Sequence, residues 1–190
     1  MGRDTARRED LAEAATDYVL EHGLIGLSLR PLAAELGTSD RMLIYHFGSK
    51  DDLVATVLRV STDRSVAHVR GLQPSPTVRE AVLTLWRAAT SEALDRCQRM
   101  YVEAAALGLL GEEPYATVVR EANARWLAAL ADHLVASGVP RHRADRSVAL
   151  LEAAFMGLQL DLPLYAGSPA LDQAVLDAAD AVAAIAGSPN

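Results

Sequence analysis

Residues 28–50 of this 190-residue chain carry side chains suited to binding a phosphate group. Lys50 is the only lysine in the sequence, and it follows Ser49 in the pattern Ser49-x-x-Asp52. That pattern is typical of a helix N-terminus, where backbone N–H groups and the helix dipole favour an anion. We therefore expect Lys50 to contact a phosphate of a nucleic acid.

The other reactive side chains form no pattern known from catalytic or metal sites. The sequence has no Glu-x-x-His or His-Glu-x-x-His pair, no Gly-x-Ser-x-Gly turn and no phosphate-binding glycine loop. The histidines are scattered without ligand spacing: His22, His46, His68, His133 and His142. Cys97 is the only cysteine, which excludes an intramolecular disulfide and a multi-cysteine metal site. We predict no catalytic residue, no metal and no cofactor, and keep an α-helical enzyme only as an alternative.

The residues before Lys50 fit two short helices that cross steeply, as in a helix-turn-helix. Such a pair needs a small residue in its first helix, a turn residue that accepts positive φ, and apolar inner faces. Ala33 and Gly37 meet the first two needs. The inner faces are predicted to hold Leu32, Leu36 and Leu43. Ser28 is predicted to cap the first helix, and Thr38 or Ser39 the second. An ordinary helical hairpin is the alternative.

Composition and periodicity predict an all-α protein of about nine helices. Hydrophobic residues make up 51% of the chain but aromatic ones only 5%, and apolar residues recur at helical spacing without strand-like alternation. The first helix is predicted from about Arg7 to His22, and a long helix from about Ser49 to Val69. Two prolines near residue 75 mark a boundary. We expect a DNA-binding head at residues 1–50, a linking helix at about 49–69, and a body at residues 70–190.

The last two predicted helices carry heptad-like apolar rows that suit an interface between subunits. Packing within one chain is the alternative. The rows consist of Val148, Leu151, Phe155, Leu158, Leu162, Leu171, Val175, Ala178, Val182 and Ile185. The sequence has no secretory signal and no stretch long and apolar enough to span a membrane, so we expect a cytoplasmic protein with no membrane partner.

The net charge of −7 argues against a nucleic-acid partner, because DNA binding depends on neutralising phosphates. Residues 1–60 also hold more acidic than basic side chains. A DNA contact must therefore rest on where the basic groups lie. We expect positive potential on one narrow face near Arg30, Arg41 and Lys50, with a modest salt dependence and weak non-specific binding.

The segment Gly37–Leu53, which reads GTSDRMLIYHFGSKDDL, resembles the TetR (tetracycline-repressor-like) family of bacterial transcription regulators. The preceding segment Gly23–Arg30 is similar to the one that introduces the helix-turn-helix in that family. The resemblance covers about the first 55 residues. Beyond residue 70 it extends only to the length and the number of helices. Departures from the commonest pattern at Thr38, Arg41, Met42 and Ile44 leave the operator sequence open.

The resemblance implies a homodimeric repressor whose recognition helices enter successive major grooves of a palindromic double-stranded DNA operator. The residues it implies at the DNA are Ser28, Arg30, Ser39, Asp40, Arg41, Met42, Tyr45, His46 and Lys50. Arg41 is the expected guanine contact. Arg3, Arg7 and Arg8 are either a DNA-binding arm or a tail without contacts.

The resemblance also implies that the body binds a small, mostly apolar effector that moves the long linking helix and releases the DNA. Candidate pocket residues are Trp86, Met100, Tyr101, Glu103, Tyr115, Asn123, Trp126, His133, Phe155 and Gln159. For each of them, core packing or surface exposure is the alternative. A helical interaction module that does not bind DNA is the alternative for the whole protein.

Overall fold

A computed structural model of the chain describes residues 2–165 and 167–187. These residues form nine α-helices and one short 3-10 turn and contain no strand, which confirms the all-α prediction. The helices are α1 Gly2–His22, α2 Leu29–Glu35, α3 Asp40–Phe47, α4 Lys50–Arg70, α5 Val78–Ala89, α6 Glu92–Leu109, α7 Tyr115–Ala136, α8 Ala144–Asp161 and α9 Pro169–Gly187. No helix among the described residues has the length and apolar character needed to cross a membrane.

Local sequence explains most helix starts, with three differences from expectation. The first helix begins at Gly2 rather than near Arg7, with Asp4 in its first turn, where an acid favours the helix dipole. The sequence predicts that the helix after the proline boundary begins at Pro76, but α5 begins at Val78 because Thr77 accepts the Glu80 N–H. Ser28 lies at the N-cap of α2 but makes no side-chain capping bond.

The chain packs as two compact units. Unit 1 comprises Met1–Ser65 and Glu92–Arg125, and its core joins α1–α4 to residues of α6 and α7. Cys97 is a buried free thiol in this unit. Unit 2 comprises Val66–Ser91 and Trp126–Asn190, and its core joins α5, α8 and α9 to the second half of α7. These are units of packing, so the functional division into head and body stays a prediction.

Candidate nucleic-acid interface and effector site

The helix α3 is held by one face and exposes the other. Leu43 and Phe47 are buried in the core of unit 1. Ser39 Oγ accepts the Met42 N–H at 3.3 Å and so satisfies a free donor of the first turn. The tight turn before α3 places Gly37 at φ +61°, where a residue with a side chain would be strained. These contacts fix which side of α3 faces solvent.

Eight of the nine residues predicted to meet DNA are exposed, and six of the nine lie on α3 or at its cap. The exposed eight are Ser28, Arg30, Ser39, Asp40, Arg41, Met42, Tyr45 and Lys50. Tyr45 stands out, with 68% of its surface exposed. Ile44 is also exposed, although the sequence did not single it out for contact. The head therefore exposes cationic, hydroxyl and apolar groups to solvent, most of them on α3 or at its cap.

His46 is the exception, because its side chain is only 7% exposed. Its Nδ1 lies 3.4 Å from the Asp4 carboxylate of α1, and its ring meets the Tyr45 ring edge-on at 5.2 Å. Arg8 of α1 also contacts this end of α3. Its Nε donates to the His46 carbonyl at 3.1 Å, and its guanidinium lies over the Phe47 ring.

The N-terminal arginines therefore differ from one another. Arg8 is bound to the C-terminal end of α3, Arg7 is exposed on α1, and the prediction for the side chain of Arg3 lies outside the described residues. The sequence gives little signal for the Arg8 contact, because its two partners are 38 and 39 residues away.

Lys50 is exposed in the first turn of α4, as the Ser49-x-x-Asp52 pattern predicts. Ser49 Oγ accepts the Asp52 N–H at 3.0 Å and donates to Asp52 Oδ2 at 2.7 Å. Asp51 and Asp52 share the same first turn. The acidic neighbours limit the positive potential around this lysine.

Glu103 of α6 contacts the head directly within unit 1. Its Oε2 accepts the Leu24 N–H at 2.6 Å and the Ile25 N–H at 2.7 Å in the loop between α1 and α2. Gly23 turns this loop at φ +88°, and a Cβ there would lie 3.3 Å from Glu103 Oε1. Hydrogen bonds to a charged acceptor are stronger than neutral ones, so this carboxylate fixes the loop that precedes the helix-turn-helix.

Ion pairs connect the linking helix α4 to its neighbours in unit 1. Arg64 pairs with Glu13 and with Asp17 of α1, the latter at 2.6 Å. Two further pairs reach α7: Arg59 with Glu121, and Asp63 with Arg125. Each exposed pair contributes little to stability, and all four join side chains of α4 to α1 or α7.

Unit 2 contains a cluster of aromatic and polar side chains between α5, α7 and α8. On α8, Glu152, Phe155 and Gln159 follow one another at helical spacing and share a face. Trp126 of α7 donates its Nε1–H to Glu152 at 3.0 Å. Trp86 of α5 meets the Phe155 ring edge-on at 5.0 Å. Gln159 closes the row by donating to the Ala89 carbonyl at 3.2 Å.

Two ionisable groups of unit 2 have pKa values that differ from their ordinary ones. Burial raises the pKa of the Glu152 carboxyl, and the hydrogen bond from Trp126 opposes that rise. Burial also lowers the pKa of His133, whose Nε2 has no hydrogen-bond partner among the described residues. Both shifts have the same cause, because a charge is costly where water is excluded.

The ten predicted pocket residues are divided between the two units. Unit 2 contains five of them: Trp86, Trp126, His133, Phe155 and Gln159. All of these except His133 belong to the cluster just described. Met100, Tyr101, Glu103, Tyr115 and Asn123 belong to unit 1. There, Met100 is a core residue and Glu103 is bound to the α1–α2 loop.

Glu152 is a residue that the sequence analysis did not single out. A signal is present, because an acid interrupts the apolar row of α8 between Leu151 and Phe155.

The predicted subunit rows of α8 and α9 lie largely within their own chain. Val148, Leu151, Phe155, Val175 and Val182 are buried in unit 2, and the other five are partly buried. A second row on α8 and the turn after it, displaced by two residues, is exposed instead. It consists of Leu150, Ala153, Gly157, Leu160 and Leu164.

Residues 11–57 match the family of bacterial regulatory proteins described as the tetR family. A curated relative, the HTH-type transcriptional regulator PksA of Bacillus subtilis (strain 168), is 35% identical over 84 residues. The matching stretch covers 42% of this chain and 41% of PksA, so the chain spans about two fifths of the curated relative's length.

Solved structures resemble nearly the whole chain. A transcriptional regulator (RHA1_ro04179) from Rhodococcus sp. Rha1 is 27% identical with a TM-score of 0.70, covering 94% of this chain and 95% of its own. A protein from Streptomyces coelicolor A3(2), SCO7518, described as a transcriptional regulator, is 25% identical with a TM-score of 0.69, covering 96% and 99%. These relatives are regulators rather than enzymes.

Proposed function

We propose that this chain, whose residues 11–57 match the tetR family of bacterial regulatory proteins, binds a palindromic DNA operator as a homodimer and is released by a small-molecule effector. The observation that carries the proposal is the exposed face of α3, where Arg41, Met42 and Tyr45 lie opposite the buried Leu43. A capped helix fixed by one apolar face can insert the other into a major groove.

We assign the exposed residues different tasks at the operator. Arg41 reads guanine through two hydrogen bonds, and Met42 and Tyr45 contact neighbouring bases or the groove wall. Ser39 and Asp40 lie at the start of the helix, where Asp40 can accept from cytosine. Phosphates are bound by Ser28, Arg30 and Lys50. We give His46 a supporting task instead, because Asp4 and Tyr45 contact its ring and Arg8 binds its backbone carbonyl.

We propose that the homodimer forms through the exposed row of α8 rather than through the buried one. Leu160 is 50% exposed and Leu164 is 71% exposed. Gly157 precedes both leucines on the same row, and a Cβ built there meets nothing within 4 Å of its own chain. A glycine inside a helix costs stability, and a surface glycine without close neighbours suits the approach of another helix. A second copy of the same helix fits this requirement.

Release requires the body to act on the head, and two sets of contacts support a route. Glu103 connects α6 to the α1–α2 loop, and the Arg64 pairs connect α4 to α1. A displacement of α6 or α4 on effector binding would be passed to α1 and so to the recognition helix. A change from mostly bound to mostly free needs about 10⁴-fold differential affinity of the effector for the two states.

The test is a gel shift with the promoter DNA that flanks the coding region of this protein. The expected result is a shifted band of a dimer on one DNA fragment, with no shift of an unrelated fragment of the same length. An interaction module that does not use DNA would shift neither fragment. Equal shifts of both fragments would also contradict an operator-specific regulator.

A further inference from the structure

The Glu152 cluster contains a carboxylate whose charge is not matched by any basic group. Glu152 is partly buried on α8, and no lysine, arginine or histidine forms an ion pair with it among the described residues. Its hydrogen-bond donor there is the neutral indole of Trp126. An acid placed in an apolar helix face without a cationic partner is costly, because water no longer solvates the charge fully.

The contacts described around this carboxylate are aromatic. Trp126 binds it directly, and Phe155 lies one helical turn further along α8, in edge contact with Trp86. Both indoles are partly exposed, so their faces are not fully used by the core. Indole rings attract cations through their negative faces, and the attraction grows where water is excluded. A carboxylate beside such rings is the chemistry that recognises an organic cation.

We propose that the effector of this protein is an organic cation, whose charged group is bound by Glu152 and by the indole rings of Trp86 and Trp126. The apolar part of the ligand lies toward Phe155, and Gln159 limits the site by its bond to Ala89. The inference rests on the proposed function only in naming the bound molecule an effector. Binding of the cation itself is measured without DNA.

The chain provides its own reporter for the test, because Trp86 and Trp126 are its only two tryptophans. Tryptophan fluorescence of the full-length protein is titrated with tetraethylammonium, benzyltrimethylammonium and tetraphenylphosphonium. Neopentylbenzene, the neutral carbon isostere of benzyltrimethylammonium, is titrated in parallel. The expected result is a saturable change with at least one cation, and for benzyltrimethylammonium a dissociation constant about tenfold or more below that of the isostere.

The deciding variant is Glu152→Gln, since the glutamine oxygen still accepts the Trp126 N–H while the charge is removed. We expect cation affinity to fall about tenfold or more, with little change for neopentylbenzene. Glu80→Gln is the matched control, because Glu80 is an exposed glutamate of the same unit and forms no ion pair with any residue that the structure describes. It should leave cation affinity unchanged.

The outcomes are distinguishable from those of the operator test. A response to none of the three cations would overturn the inference. So would equal affinities of wild type and Glu152→Gln, because the Trp126 bond would then be purely structural. If a cation binds but no operator is found, the site stands and the regulatory function fails. If operator DNA is bound and only neutral compounds release it, the regulator stands and the assignment of the cation as its effector fails.

Discussion

Arg41 and Lys50 are both exposed cations of the head, but they lie in different settings. Arg41 is in the first turn of α3, with Met42 and Tyr45 on the same exposed side. Lys50 is in the first turn of α4, next to backbone N–H groups that favour any phosphate. Base contacts give sequence preference and phosphate contacts give affinity, so removing the two side chains should change DNA binding in different ways.

We expect Arg41→Ala to lose about 1–3 kcal/mol of discrimination at one base pair and to bind mutated operators nearly as well as the original. Lys50→Ala should weaken all sequences alike and lower the salt slope by about 2, because the homodimer loses one phosphate contact in each subunit. Fluorescence anisotropy with an operator and its single-base variants measures both effects. Identical behaviour of the two variants would contradict this division of tasks.

At His133 the buried imidazole predicts a pH effect on stability. Because burial lowers its pKa in the folded state, the unfolded chain binds the proton more tightly. The stabilisation is complete above the ordinary histidine pKa of about 6.5 and is lost as the pH falls below that value.

Between about pH 7.5 and pH 5.5, the free energy of unfolding should therefore fall more in the wild type than in His133→Leu, which cannot take up the proton. Thermal unfolding at both pH values measures this difference. At the upper pH, His133→Leu also removes an unpartnered buried nitrogen, worth on the order of 1 kcal/mol. His68→Leu is the control, since His68 is exposed in the same unit. An equal pH effect in wild type and His133→Leu would show that the imidazole is not the cause.

Sequence predicts the exposed residues of α3 well, for a local reason. Leu43 and Phe47 are the apolar positions of a short capped helix, and they determine which face is buried. The contacts of His46 with Asp4 at its ring and with Arg8 at its carbonyl come from the first two turns of α1. No spacing within the motif carries that information, so the predicted DNA contact of His46 could not be judged from sequence.

Helices α8 and α9 show a different limit of prediction at the scale of the element. The heptad-like rows identify apolar positions correctly, but α8 has two such rows two residues apart. Which row faces its own chain depends on α5 and α7, whose side chains complete the core of unit 2. The number of helices and the bounds of α8 follow from local signals, whereas the choice between faces does not.

The exposed row of α8 predicts a variant that affects the dimer without harming the monomer. Gly157→Leu adds a side chain where the chain itself has open space, so the monomer should fold normally. The dissociation constant of the dimer, measured by sedimentation velocity, should rise at least tenfold because two facing helices can no longer approach closely. Leu109→Glu, at a position 90% exposed in unit 1, is a surface control that should stay dimeric. A dimer of unchanged strength in Gly157→Leu would place the interface elsewhere.

The contact between α6 and the head predicts a local effect on the α1–α2 loop. In Glu103→Ala the amides of Leu24 and Ile25 lose their acceptor, so their hydrogen exchange should accelerate by about tenfold or more, equivalent to one charged hydrogen bond of about 1.5–3 kcal/mol. Glu21→Ala, an exposed change at the end of α1, should leave both amides unaffected. Unchanged exchange in Glu103→Ala would remove this route between body and head.

The net charge of −7 determines how the whole molecule approaches DNA. Arg30 and Lys50 of each subunit are the basic groups that we assign to phosphates, which makes four contacts per dimer. Counterion release then predicts that log K falls with log salt at a slope of about −3 to −4. Operator titrations across a series of KCl concentrations measure it. A slope twice as steep, or tight binding to any DNA, would mean that other basic side chains take part.

Cys97, buried in unit 1, gives the molecule an unreactive thiol background. A cysteine introduced at an exposed site of α2, such as Glu35→Cys, would be the one thiol open to a nitroxide reagent. In a symmetric dimer, pulsed electron paramagnetic resonance would measure the distance between the two labels, one on each subunit. The distribution of interspin distances should narrow to one population on the operator, where half-sites repeat every helical turn of about 34 Å. It should shift when the effector is added.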